Sequence, residues 1–251
     1  ANFSDGSLTG TTLTLSSDLA TGTYVIEVFY VGSYFQINAY TGNGSNRTIS
    51  FASTMDSAAG FGFAKKRTSA TYNHEGYHVG AGAGYTMRAN STAAAFASAT
   101  TWNSTDPTTT GFSLGTSIGS NENTSTYISY WWANSGPYAF GSYTGTNVAD
   151  GPMINTGGHP DTMLFKTSST TGQWTFLPSA LNTIVGNVTD QQLYTNLTNA
   201  VATYNATDLV SNGAKIVSNG TDHNVASAVY IYGAFGIQPL TDGAINQGRA
   251  K

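Results

Sequence analysis

The chain has 251 residues, 39% hydrophobic and only 9% charged, with a formal charge of −4, where an ordinary soluble protein carries roughly 25% charged residues. The 12% aromatic content is too high for a disordered chain, and the length is enough to bury a core as one large or two modest domains. There is no cysteine, which excludes disulfides, thiolate metal sites and thiol nucleophiles, and no run of 18 apolar residues, so no membrane span is expected.

Thr, Ser, Asn and Gly replace the missing charges, the palette of strands joined by tight turns. Residues 1–34 read as an N-terminal β-hairpin or connector. Ala1-Asn2-Phe3-Ser4-Asp5 lacks the pattern of a signal peptide. Thr12-Leu13-Thr14-Leu15 alternates polar and apolar, Ala20-Thr21-Gly22 marks a turn, and residues 23–31 form a β-branched and aromatic strand with Glu27 facing water. Residues 35–139 form a first β-sandwich. It opens on the strand Phe35 to Tyr40 and the turn Thr41 to Gly44, continues through a strand beginning Gly60-Phe61-Gly62-Phe63, and closes on Thr126 to Trp132. On that closing strand Ile128, Tyr130 and Trp132 share one face, which should point inward. Lys65-Lys66-Arg67, the one basic cluster, reads as a strand end at a solvent-facing turn. The other basic residues are scattered, so no nucleic-acid partner is expected. Residues 140–240 form a second β-sandwich. In it Thr162 to Phe165 and Gln173 to Leu177 are neighbouring strands, and Val229 to Tyr232 closes the unit; residues 190–202 suit either a helix or a strand. Residues 241–251 are a polar tail.

The two sandwiches echo each other. Tyr40-Thr41-Gly42 returns as Tyr143-Thr144-Gly145 and Tyr127-Ile128 as Tyr230-Ile231, each 103 residues on; Lys65 returns as Lys166 after 101 and Gly111-Phe112 as Gly213-Ala214 after 102. A unit of about 100 residues suits a whole β-sandwich, whereas solenoid periods run about 20 to 50. The fold class is therefore all-β: two tandem antiparallel β-sandwich repeats behind a hairpin.

Several of these segments carry a resemblance. Tyr40 to Gly44, Met163-Leu164-Phe165-Lys166, Tyr127 to Ala133 and Tyr230 to Ala234, together with Phe140 to Gly145 and Asp150-Gly151-Pro152, resemble the duplicated concanavalin A/laminin-G-like module of structural proteins of tailed, especially marine, bacteriophages. The similarity covers residues 35–240. The first copy lacks the glycine-phenylalanine-proline segment between Ser50 and Phe61 and has Ala81 to Gly84 where the family has bulkier residues. The resemblance implies a jelly-roll fold, a place on the virion exterior after synthesis in the host cytoplasm, other virion proteins as partners and a homo-oligomer, with a trimer in view. It transfers no catalytic residue.

The chemistry-bearing motifs are sparse. His74-Glu75-Gly76-Tyr77-His78 satisfies H-E-x-x-H, but Asn73, Gly76 and the glycines at 80, 82 and 84 disfavour the helix a zinc protease needs. On a strand the two histidines stand roughly 13 Å apart, too far for one ion. A glucanase would need paired carboxylates about 5 to 9 Å apart, and only Glu75 with Glu122 offers itself. A structural calcium is the one cofactor the fold class suggests, with Asp150, Asp161, Asp190 and Asp222 as loop ligands. Trp102 lies in a polar loop, and one of the adjacent Trp131 and Trp132 should face outward. Trp102 and Trp131 are thus the candidate surface platforms for stacking a host glycan.

The sequence reading is a non-enzymatic structural protein of a bacteriophage virion, a capsid decoration or tail-fibre component. The alternatives are a host-glycan-binding adhesin and, behind it, a hydrolase.

Overall fold

The computed structural model describes residues 7–9, 12–14, 27–183 and 186–239. The turn expected at 20–22 and the tail at 241–251 lie outside these residues, as does the start of the strand expected over 23–31. Residues 27–30 of that expected strand have no regular structure. Among the described residues no helix is long and apolar enough to cross a membrane.

The protein is all-β. Strands β1 (Ser7–Thr9) and β2 (Thr12–Thr14) pair antiparallel. Then follow β3 (Phe35–Thr41), β4 (Arg47–Ser50), β5 (Ala59–Lys66), β6 (His74–His78), β7 (Tyr85–Arg88), β8 (Phe96–Ala97), β9 (Gly111–Leu114), the one-turn helix α1 (Ile118–Asn121) and β10 (Thr126–Ala133). The second half holds β11 (Tyr138–Thr144), β12 (Met153–Asn155), β13 (Gly158–His159), β14 (Thr162–Thr167), β15 (Trp174–Pro178), β16 (Val188–Tyr194), β17 (Ala202–Val210), β18 (Gly213–Ile216), β19 (Val229–Phe235) and β20 (Gln238–Pro239). Residues 190–202 thus hold a strand and a turn rather than a helix. Val188–Tyr194 gains cross-strand partners on both edges, which no isolated helix there could supply.

The main sheet of the first half runs β3-β10-β5-β6-β7-β8, with β4 and β9 as a separate pair; the second half runs β11-β19-β14-β15-β16-β17-β18-β12. These sheets stack in a sandwich-like arrangement around three apolar layers. The first lies between the β5-β6-β10 sheet and the β4-β9 pair and holds Tyr77, Trp102, Phe112, Leu114 and Trp131. The third lies inside the second half, where Met163, Phe165 and Leu177 meet Ile154, Leu209 and Ile216. The middle layer is built by both halves: Phe35, Phe61, Met87 and Trp132 from the first against Phe140, Leu164, Trp174, Ile231 and Phe235 from the second.

This middle layer changes the expected direction of β10. Tyr127, Ser129, Trp131 and Ala133 form its most deeply buried face, turned into the first layer, while Ile128 and Tyr130 are only half buried. Trp132 points the other way and is still 6% exposed, because the second half covers that face of the sheet.

The halves match at the level of single hydrogen bonds. Tyr40 stacks on Tyr127 with ring centroids 5.2 Å apart at 12°, and Tyr143 on Tyr230 at 5.1 Å and 12°. The Tyr40 hydroxyl donates to the Ser120 carbonyl and that of Tyr143 to His223; the Tyr127 hydroxyl donates to Ile118 and that of Tyr230 to Thr221. Asn121 Nδ2 donates to the carbonyls of Ser45 and Gly115, and Asn224 Nδ2 to those of Val148 and Ser218. Gly42 and Gly145 are needed at this junction, since a Cβ on either would strike the carbonyl oxygen of Glu122 or Val225.

Candidate functional site

Side chains of both halves line an apolar cleft of about 440 Å³ at one edge of the middle layer. Strand alternation builds it. Phe61 and Phe63 project from β5 to this side, while Gly62 between them leaves room for Trp131, whose ring would collide with any Cβ there. Trp132 of β10 and Phe235 of β19 form the inner wall, and Leu164, Trp174 and Phe176 of β14 and β15 the opposite one. The rings are held by each other: Phe61 stacks on Trp132 at 5.4 Å and meets Trp174 at 6.2 Å. Rigid aromatic packing of this kind keeps the cleft open without ordering flexible chains.

Polar groups sit at its mouth. Glu27 accepts the Thr162 hydroxyl at 2.9 Å, and burial raises its carboxyl pKa. His74 stacks on Phe63 at 6.0 Å; burial, with Lys65 nearby, lowers its pKa, so it is neutral at pH 7. The two cleft indoles differ. Trp174 Nε1 donates to the Arg88 carbonyl at 3.0 Å, whereas Trp132 Nε1 is buried and makes no hydrogen bond.

The residues expected to carry chemistry are dispersed. Trp102 and Trp131 are 1% and 0% exposed, so neither is a surface platform for a glycan. Trp102 leaves its polar loop to pack edge-on against Trp131 at 5.3 Å, its Nε1 directed to the Gly76 carbonyl. Trp131 takes the inward face of β10 that the alternation had assigned to Trp132. The H-E-x-x-H stretch is strand β6, as its glycines suggested. His78 is buried, because it reaches into the second half. Glu75 and Glu122 are engaged elsewhere. Glu75 is buried with Arg88 Nε 3.7 Å away, and burial raises its pKa. Glu122 is paired with Lys66, whose contact holds the carboxyl below its usual range. The same pair accounts for the basic cluster: Lys66 is buried, not solvent-facing.

Among the described residues no group of three or more acidic or histidine side chains could hold a metal ion. Asp150 pairs with Lys215 at 2.6 Å, Asp161 accepts from Gln238, Asp190 holds Thr183, and Asp222 accepts the Gln173 amide. The four calcium candidates thus sit in four separate settings.

Trp132, Trp174 and Phe176 were missed as site residues. The signal was the pair Trp131-Trp132 itself: two consecutive large rings on a strand require that both faces be covered.

The fold defines an all-β protein of stacked sheets with an aromatic cleft where its halves meet. Residues 29–239 match a domain of unknown function (DUF7483), and the chain belongs to that family. No curated protein and no solved structure matches it.

Proposed function

We propose that the chain is a non-enzymatic structural protein of a bacteriophage particle, an exterior decoration or fibre component made of two tandem β-sandwich repeats behind an N-terminal hairpin. The shared middle layer carries this reading. Twelve per cent of the chain is aromatic, and large rings of both halves, Phe61 and Trp132 from the first and Trp174 and Phe235 from the second, pack into one layer that joins them. The matched hydrogen bonds around Asn121 and Asn224 support duplication of one unit. The virion assignment itself rests on the resemblance of residues 35–240 to phage modules.

A charge-poor, hydroxyl- and amide-rich exterior suits subunit contacts whose strength varies little with salt. Such a protein assembles as a homo-oligomer on the particle, with other virion proteins as neighbours.

The test is location. Antibodies against the purified chain should decorate intact phage particles in electron micrographs, and the chain should be present in their protein complement at many copies. Particles that lack it, or hold it only as a non-assembled product of infected cells, would overturn the proposal.

A further inference from the structure

We propose that a polar groove on the second half, lined by Gln192, Tyr194, Tyr204, Gly220, Thr221 and Asp222, binds a neutral saccharide, with a sugar ring against Tyr204 and its hydroxyls on the hydroxyls of Tyr194 and Tyr204 and the carboxylate of Asp222.

The groove exists in one half only. Trp102-Asn103-Ser104-Thr105-Asp106 returns as Tyr204-Asn205-Ala206-Thr207-Asp208, each residue 102 positions on, so Tyr204 stands where the first half has Trp102. Trp102 is 1% exposed and packs edge-on against Trp131. The offset of 103 that relates Tyr127 to Tyr230 puts Ala234 in the place of Trp131, so the second half has no ring there to draw Tyr204 inward. Tyr204 instead stacks on His223 at 6.0 Å and 24°, stays half-buried and lines the groove. Gly220 makes room for its hydroxyl, which any Cβ at that position would strike. The groove's carboxylate is also particular to this half. Thr221 and Ile118 accept the equivalent tyrosine hydroxyls, so Asp222 stands where the first half has the buried Gly119, against Glu75.

The polar groups of the groove keep hydrogen-bonding capacity to spare. The Tyr194 hydroxyl accepts from Gln192 Nε2 at 2.7 Å, which leaves its own proton to donate. The Tyr204 and Thr221 hydroxyls make no hydrogen bond among the described residues, and Thr221 is exposed. Asp222 is half-buried, and its one hydrogen bond among the described residues is the long 3.4 Å contact from the Gln173 amide.

The chemistry of the lining selects the class. Its volume, about 340 Å³, lies in the range of roughly 300 to 1,000 Å³ typical of small-molecule sites. Hydroxyls, an amide and a carboxylate beside a tyrosine ring match a ligand with many hydroxyls and an apolar ring face. An apolar ligand would strip water from these groups without pairing them. The Asp222 carboxylate disfavours anions, and its charge already acts on the buried Lys166, which a bound cation would have to oppose.

The experiment titrates the full chain by calorimetry with neutral oligosaccharides of glucose, galactose, mannose and N-acetylglucosamine. Sialylated oligosaccharides and tetramethylammonium serve as charged comparisons. At least one neutral series should bind saturably, one molecule per chain, and tetramethylammonium should not bind. Tyr204→Ala should abolish binding. If that variant does not fold, Thr221→Arg at the exposed rim takes its place. Tyr204→Phe, which keeps the ring, should weaken binding about threefold to tenfold, the effect of one hydrogen bond. The proposal falls if no neutral series binds, if tetramethylammonium binds, or if Tyr204→Phe and the truncated or rim-blocked variant bind as well as wild type. None of these results bears on whether the chain is found on phage particles.

Discussion

His78 in β6 donates its Nε2–H to the carbonyl oxygen of Tyr232 in β19, 3.0 Å away and on the opposite half of the molecule. Its other nitrogen, Nδ1, accepts the Gly80 amide at 3.0 Å. The two contacts require one neutral tautomer: a proton on Nδ1 would face an N–H donor. Burial lowers the pKa of His78 to about 4, and that of the buried His223 likewise to about 4.

A pH dependence follows. Both histidines take up a proton near pH 6.5 when unfolded but only near pH 4 when folded. Their contribution is complete above pH 6.5 and is lost as the pH falls from 6.5 to 4, by about 3 kcal/mol for each residue. Glu75, whose raised pKa favours the folded state in acid, offsets part of this in the carboxylate range. Denaturant melts across pH 4 to 7 should show the loss. The slope should be shallower in His78→Gln, whose amide can still donate to Tyr232. An equal slope in the variant would separate the acid sensitivity from His78.

Asn121 and Asn224 are each fully buried and tie the loop after the opening strand of their half (Asn43 and Ser45, Thr146 and Val148) to a carbonyl in the segment before the closing strand (Gly115, Ser218). Asn121→Ala and Asn224→Ala should each destabilise by about 3 kcal/mol, because several buried partners lose their bonds at once. Thermal melts of the two variants should shift alike. A cost below about 1 kcal/mol at only one of them would break the equivalence of the halves.

Lys166 is fully buried and donates to the carbonyls of Thr167 at 2.6 Å and, across the seam, Thr92 at 3.3 Å. Burial lowers its pKa to about 8, and Asp222 opposes the shift. The folded chain therefore releases this proton near pH 8 and the unfolded chain near 10.5, so stability rises with pH between them, by about 2 kcal/mol up to pH 9.5. Above pH 10 the buried tyrosines, Tyr40 among them, reverse the trend, since burial holds their phenols protonated in the folded state. Lys166→Met should remove the rise and be at least as stable as wild type at pH 7. A rise that persists in Lys166→Met would assign it to another group.

Trp102→Ala should cost about 3 to 5 kcal/mol of folding stability, the range for truncating a large buried ring. The loss should appear in a melting curve whether or not any sugar is present. A variant that melts like wild type but has lost glycan binding would restore Trp102 as a surface platform.

The strands were legible because alternation and turn residues act locally. Gly60 to Phe63, Thr162 to Phe165 and Val229 to Tyr232 all fall within β5, β14 and β19. The landmark spacings were legible for the same reason. Lys65 lies opposite Ile128 and Lys166 opposite Ile231, so even the 101-residue offset is a register position in the sheets.

The candidate site was not legible. Alternation says that Trp131 and Trp132 lie on opposite faces; it cannot say what covers each face. Trp131 is buried inside the first half, and Trp132 is buried because the outer face of that half's sheet packs on the second half. That contact joins residues about 100 positions apart, and no local pattern encodes it. The sequence by itself determined the strands, their polarity and the matched tyrosines. Only the tertiary structure decided which tryptophans meet a cleft, because burial is a property of the neighbour as much as of the residue.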